Sequence, residues 1–133
     1  TFGLPEIRLA AFPPAAAALL PLRVGTSRAA AAMLTGAVRP AAEWHAEGLV
    51  AVVAPGGALH DAAGAWFDAH LAPRSAVALA AAAQASRLTL RAVAEPALAA
   101  AERLYLERVL PTHDAAEGVR AFVEKRAPEW KDR

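Results

Sequence analysis

The residues able to do chemistry in this chain are few and lie towards its two ends. Glu6 stands between Pro5 and Ile7, a carboxylate in an apolar stretch, where partial removal from water suits a group that accepts and returns a proton. From spacing alone, however, one glutamate before an apolar run reads as an ordinary solvated strand end. Phe122 and Lys125 are three residues apart in a helical pattern, which puts them on neighbouring parts of one surface. They offer an aromatic face for stacking and an ammonium group for phosphate. The plain alternative is that Phe122 belongs to the apolar stripe Ala115, Val119, Phe122, Val123, with Lys125 solvated.

The other polar candidates are weaker. His45, His60, His70 and His113 form no i, i+4 pair and there is no cysteine, so no metal site is expected. His70 follows Trp66 by four residues and is expected to pack beside the indole. Gly25-Thr26-Ser27 resembles a phosphate-receiving helix start only in part, because the full glycine-rich loop and its lysine are missing; a plain helix cap fits better. Arg23, Arg28 and Arg39 read as solvated helix faces. Trp44, Trp66 and Trp130 read as packing residues.

These groups need elements to hold them. Pro5, Pro13 and Pro14 suggest a short extended segment and a loop over residues 4–12, with helix beginning near Ala15 and interrupted at Pro21. A second helix ends near Gly36, and a third, opened by Pro40, closes at Gly48. Leu49-Val50-Ala51-Val52-Val53 is the best strand candidate, a β-branched run stopped by Pro55-Gly56-Gly57. Four helices are expected after it. The first spans residues 58–71, the second is capped by Ser75, Pro96 separates the second from the third, and Asp114 with Glu117 forms a capping box for the last. A single strand among helices implies a helical layer packed on a sheet supplied elsewhere.

Composition narrows the function classes. Of 133 residues, 56% are hydrophobic, well above ordinary globular usage, and much of the excess is alanine, which favours helix but buries little area. Charged residues and prolines break every apolar run well short of the roughly 20 residues a membrane span needs, so no membrane partner is expected. With 14 Lys+Arg against 13 Asp+Glu, the net charge of +1 and the scattered basic residues give no electrostatic case for nucleic acid. The lack of cysteine and of a leader pattern fits a cytoplasmic protein. The chain opens on Thr1 in mid-pattern and its one methionine, Met33, lies within a helical run, which reads as a piece of a longer protein.

Two blocks carry a family resemblance. Leu4-Pro5-Glu6-Ile7-Arg8-Leu9, followed by Phe12-Pro13, resembles the catalytic Pro-Glu-Ile segment of the crotonase family, the enoyl-CoA hydratases and isomerases. The stretch from Thr112 through Glu117-Gly118 and Ala121-Phe122-Val123-Glu124-Lys125-Arg126 to Trp130 resembles that family's last helix. The resemblance implies an α/β fold class, here the C-terminal half of a crotonase-like fold, mostly α-helical with one or two short strands. Residues 1–57 would complete the core and residues 58–133 would form a helical region for CoA contact and oligomerisation.

In function, the resemblance implies a fragment of an acyl-CoA hydratase/isomerase. Glu6 would exchange the proton, while Phe122 and Lys125 would lie near the adenine and phosphate of coenzyme A, across a subunit boundary. CoA would enter as the thioester substrate, with no covalently bound cofactor. Family members commonly assemble as trimers or hexamers, and the two N–H donors that hold the thioester oxygen lie upstream of the Pro-Glu-Ile segment. Where general hydratases continue with Pro-Gly-x-Gly-Gly-Thr, this chain has Pro13-Pro14-Ala15-Ala16-Ala17-Ala18, which removes glycine-dependent close approach and alters the pocket wall. That departure, with Trp66-Phe67-Asp68-Ala69-His70 and Tyr105-Leu106-Glu107, resembles the branch of the family that hydrates cyclic dienoyl-CoA thioesters in aromatic degradation. The alternative is a crotonase-like assembly module without catalytic activity, and the third is an unrelated alanine-rich helical protein.

Overall fold

The computed structural model describes residues 1–133. Strand β1 (Phe2–Gly3) pairs antiparallel with β2 (Val38–Arg39), Phe2 opposite Arg39 and Gly3 opposite Val38. Between them run a 3₁₀ turn, Pro5–Leu9, and helices α1 (Pro14–Val24) and α2 (Thr26–Thr35). Helix α3 (Ala41–Ala46) follows β2. The rest is helical: α4 (Leu59–His70), α5 (Ala76–Ala85), α6 (Leu88–Leu104) with a π turn at Tyr105–Val109, and α7 (His113–Glu124).

Several local expectations change. Residues 5–9 are a helical turn where an extended segment was expected, because a proline at the first helical position presets φ and forgoes only an N–H that would lack a partner anyway. Pro21 lies inside α1 and Pro96 inside α6, so neither breaks its helix. The lost backbone hydrogen bond is outweighed by packing, since α1 lies along α6 and also contacts α2. The break assigned to Pro96 falls at Ser86-Arg87 instead. The run Leu49 to Val53 forms no strand; Leu49 donates its N–H to the Trp44 carbonyl, Val50 accepts from or donates to nothing in a sheet, and Val52 and Val53 stay exposed. A β-branched run without a neighbouring strand has no backbone partners to make it a strand.

The core is small. Leu20, Val24, Ala29, Ala32 and Trp44 form its centre, with Trp44 only 2% exposed and its Nε1 donating to the Phe2 carbonyl at 3.3 Å. Arg39 lies 3.8 Å over the Trp44 ring and makes two hydrogen bonds to Glu47, of 2.7 and 2.9 Å, so it clamps β2 to α3 and does not form a free solvated face. Only 11 of the 133 residues are buried, and the accessible surface is 9337 Å². A compact domain of this mass exposes about 6,600 Å². The exposed large side chains behind this surplus of about 2,700 Å² are spread over the chain and include Leu59 and Phe67 of α4 and Val77 of α5, helices without close neighbours.

Candidate active site

The turn that carries Glu6 is shaped by its neighbours. Pro5 opens it, and the Ala10 and Ala11 N–H groups close it on the Ile7 and Glu6 carbonyls, both at 3.2 Å. Ala10 adopts φ 51° and ψ 42°, a left-handed conformation that a Cβ disfavours by roughly 1–2 kcal/mol. Two glycines let helices approach. A Cβ at Gly36, the left-handed cap of α2, would come within 2.9 Å of Ile7 Cγ2; one at Gly118 of α7 would overlap the Leu9 carbonyl. Glu6 is therefore carried on a turn pressed between α2 and α7.

Glu6 itself is half-buried. Its Oε2 is shielded from solvent and has no hydrogen-bond partner in this chain. A buried carboxylate oxygen without a partner is unfavourable in a folded protein unless something else supplies one, and such atoms are concentrated at functional sites.

Helix α7 positions the other two candidates. Phe122 is 69% exposed, and Val119 and Val123 are exposed as well, so the proposed apolar stripe does not bury Phe122 in this chain. Lys125 is outside the regular helix, in the left-handed capping position at φ 55°. Its N–H and that of Arg126 close the helix on the Phe122 and Ala121 carbonyls, at 3.2 and 3.0 Å. Glycine normally holds this position, and lysine there is strained. Lys125 thus follows Phe122 by three residues at the end of α7, whereas the Glu6 turn meets α7 earlier, at Gly118.

The capping box expected at Asp114 and Glu117 is not formed. Thr112 is the cap: its hydroxyl accepts from the Ala115 N–H at 3.1 Å, which places Asp114 and Glu117 inside the helix and frees both carboxylates. Asp114 accepts the N–H groups of Lys131 and Asp132, both at 2.8 Å. Glu117, only 5% exposed, receives the Arg126 guanidinium at 2.5 and 3.0 Å and the Glu129 N–H at 3.1 Å. The Arg126 guanidinium, helped by the Glu129 N–H, holds the Glu117 carboxyl down at about 2, and the Lys131 N–H is the main cause of the lowered Asp114 value. Local spacing suggests a capping box instead of these roles because the main partners, Arg126, Glu129, Lys131 and Asp132, lie nine to eighteen positions away.

Elsewhere, the His70 ring lies 5.1 Å from the Trp66 indole, as the spacing suggested, and Ser75 caps α5 by accepting from the Ala78 N–H. Trp44 is a core residue, whereas Trp66 and Trp130 are 41% and 43% exposed.

The family model for enoyl-CoA hydratase/isomerase matches residues 1–133. The chain belongs to this family. Among relatives, it is 43% identical over 132 residues to a cyclohexa-1,5-dienecarbonyl-CoA hydratase of Thauera aromatica, covering 99% of this chain and 50% of that protein. It is 37% identical over 133 residues to a 2,3-dehydroadipyl-CoA hydratase of Escherichia coli K12, covering 99% and 51%. Among solved structures, an enoyl-CoA hydratase from Mycobacterium avium subsp. paratuberculosis K-10 aligns with a TM-score of 0.83 at 31% identity, covering 98% of this chain and 53% of that one. A carnitinyl-CoA dehydratase from Mycobacterium avium 104 aligns at 0.82 and 29%, covering 99% and 52%.

The enoyl-CoA hydratase/isomerase chain thus spans about half the length of the curated relatives it matches, and it carries half of a crotonase-like fold, mostly helical with a two-residue strand pair. Its residues 1–57 and 58–133 interlock in space, because α1 packs on α6 and the Glu6 turn on α7. No helix is long and apolar enough to cross a membrane.

Proposed function

We propose that the complete protein adds water to an unsaturated acyl-CoA thioester, with a cyclic dienoyl-CoA as substrate and Glu6 as the proton-transfer group. The observation that carries this reading is the buried, unpartnered Oε2 of Glu6 on a strained turn clamped by two helices. A water or substrate hydrogen would satisfy that oxygen. In the reaction, Glu6 accepts a proton from water as the water oxygen bonds the electron-poor carbon of the conjugated system. The electron pair moves to the thioester as an enolate, and the protonated Glu6 then returns the proton to carbon, so that the carboxylate is restored and the net change is addition of H₂O. Donors to the enolate oxygen are expected upstream of the Pro5-Glu6-Ile7 segment, as the family resemblance implies.

Identity favours the cyclic substrate, being 43% with the cyclohexa-1,5-dienecarbonyl-CoA hydratase against 37% with the 2,3-dehydroadipyl-CoA hydratase. We assign the CoA moiety to Phe122 and Lys125. The exposed aromatic face of Phe122 and the left-handed backbone of Lys125 at the end of the same helix support that assignment. We further assign the exposed faces of α4 and α5 to contacts with other chains in a trimeric or hexameric assembly, supported by the surplus surface of about 2,700 Å².

The experiment is a hydration assay on the full-length protein with a cyclic dienoyl-CoA and a linear enoyl-CoA, following loss of the conjugated chromophore. Turnover with the cyclic thioester at higher kcat/KM supports the reading. No turnover with either would leave the assembly-module alternative.

A further inference from the structure

The C-terminal segment after α7 has an unusual attachment. Residues 129–133 are exposed and form no regular element, yet the segment folds back against the first turns of α7. Little apolar burial holds it there. Its fastenings are polar: the Asp114 carboxylate accepts the Lys131 and Asp132 N–H groups, the Asp114 N–H donates to the Arg133 carbonyl at 3.4 Å, and Glu117 accepts the Glu129 N–H. Asp132 takes a left-handed φ of 56°, a conformation that aspartate adopts more readily than most residues, and its N–H reaches Asp114.

Asp114, Glu117 and Gly118 occupy positions i, i+3 and i+4, and therefore share one face of α7. That face meets the Glu6 turn, where the Leu9 carbonyl lies so close to Gly118 that a Cβ would not fit. The segment also comes near that turn: Asp132 and Arg133, with Asp114, line a cavity of about 310 Å³ that Ile7, Ala10 and Ala11 line as well. The Glu6 turn thus packs on α7 and shares a cavity with the segment that Asp114 fastens to α7.

We propose that Asp114 is a positioning residue for Glu6, acting by latching residues 131–133 against α7 and so fixing the seat of the Pro5–Leu9 turn. This rests on the assignment of proton transfer to Glu6. Asp114 touches no reacting atom. Its loss should release the segment and let the turn move relative to substrate, and misplacement of a catalytic group by about 1 Å costs up to roughly 100-fold in rate.

The test uses the full-length protein carrying Asp114→Ala, a deletion of Lys131–Arg133, or both, assayed well below the melting temperature with the cyclic dienoyl-CoA. Each single change is expected to lower kcat by roughly 10-fold or more with KM within about twofold, and the double variant should be no worse than either single one, because both break one latch. Hydrogen exchange at the Ala10 and Ala11 amides, which close the Glu6 turn, should accelerate in each. The deletion removes only exposed side chains and carries the test alone if Asp114→Ala does not fold. Unchanged kcat, losses that multiply in the double variant, or unchanged exchange at the turn would overturn the proposal. Glu6→Gln run in parallel separates the two ideas: full activity there refutes the role of Glu6, whereas its loss beside an active deletion variant refutes only the latch.

Discussion

Replacing Gly118 by alanine should damage both stability and turnover, although alanine is the better helix former. A Cβ at Gly118 would lie 2.9 Å from the Leu9 Cα and 2.5 Å from its carbonyl carbon, with the carbonyl oxygen nearer still. Backbone cannot rotate away as a side chain can, so α7 and the Glu6 turn must separate by about 1 Å to reach ordinary contact. Overpacking of this kind costs about 1–3 kcal/mol. The helix-propensity gain of about 1 kcal/mol offsets only part of it. Gly64 in α4 is the control, because a Cβ there meets nothing within 4 Å; Gly64→Ala should stabilise by up to about 1 kcal/mol. Urea unfolding of both variants of the full-length protein, with kcat measured beside it, gives the comparison. Opposite signs in stability, with loss of kcat confined to Gly118→Ala, are expected. Gly118→Ala behaving like Gly64→Ala in both measurements would refute the close seat of the Glu6 turn on α7.

Ala10→Gly should relieve the left-handed strain after the Glu6 turn and raise the melting temperature, by about 1 kcal/mol in stability; an unchanged or lowered value would contradict the observed backbone. Lys125→Gly should separate two roles, stabilising the end of α7 while weakening CoA binding and its salt dependence, and calorimetry showing equal CoA affinity would return Lys125 to a merely solvated role. The Glu117 carboxyl is depressed from an ordinary 4.5 to about 2, so its stabilisation is fully present above about pH 4.5 and is lost as pH falls towards 2. The melting temperature of Glu117→Gln should accordingly lie below wild type at neutral pH, with the gap closing over that acid window; a constant gap from pH 7 to 2 would contradict the ion pair's part in it.

How much of this was legible in the sequence depends on how local each signal is. Ser75, Gly36 and the Trp66–His70 pair obey rules that span three or four residues, and each appears where those rules place it. The prolines misled because their effect depends on position and packing: Pro5 starts a helical turn, and Pro21 and Pro96 ride inside helices that lie against one another. The Leu49 to Val53 run has strand chemistry but no neighbouring strand, a condition that composition cannot express. Glu6 is singled out by the resemblance of Pro5-Glu6-Ile7 to a family segment, since spacing alone suggests a solvated strand end, but the glycines that seat its turn act through contacts 29 residues away at Gly36 and 109 away at Gly118, which no local rule conveys. The Asp114 and Glu117 carboxylates had the spacing of a capping box, and Thr112, two residues earlier, displaced them from that role.

The central claim is that Glu6 transfers the proton in hydration of an acyl-CoA. Glu6→Gln retains the size and shape of the side chain and removes its capacity to act as a base, so steady-state turnover of the full-length variant with a cyclic dienoyl-CoA tests it most directly. Loss of general acid–base catalysis corresponds to roughly 10²–10⁴ in rate. A fall in kcat of that size, with KM little changed, is the result expected from a group that acts on the reacting atoms and leaves CoA binding to Phe122 and Lys125. A Glu6→Gln protein that hydrates the thioester at the wild-type rate would contradict the assignment.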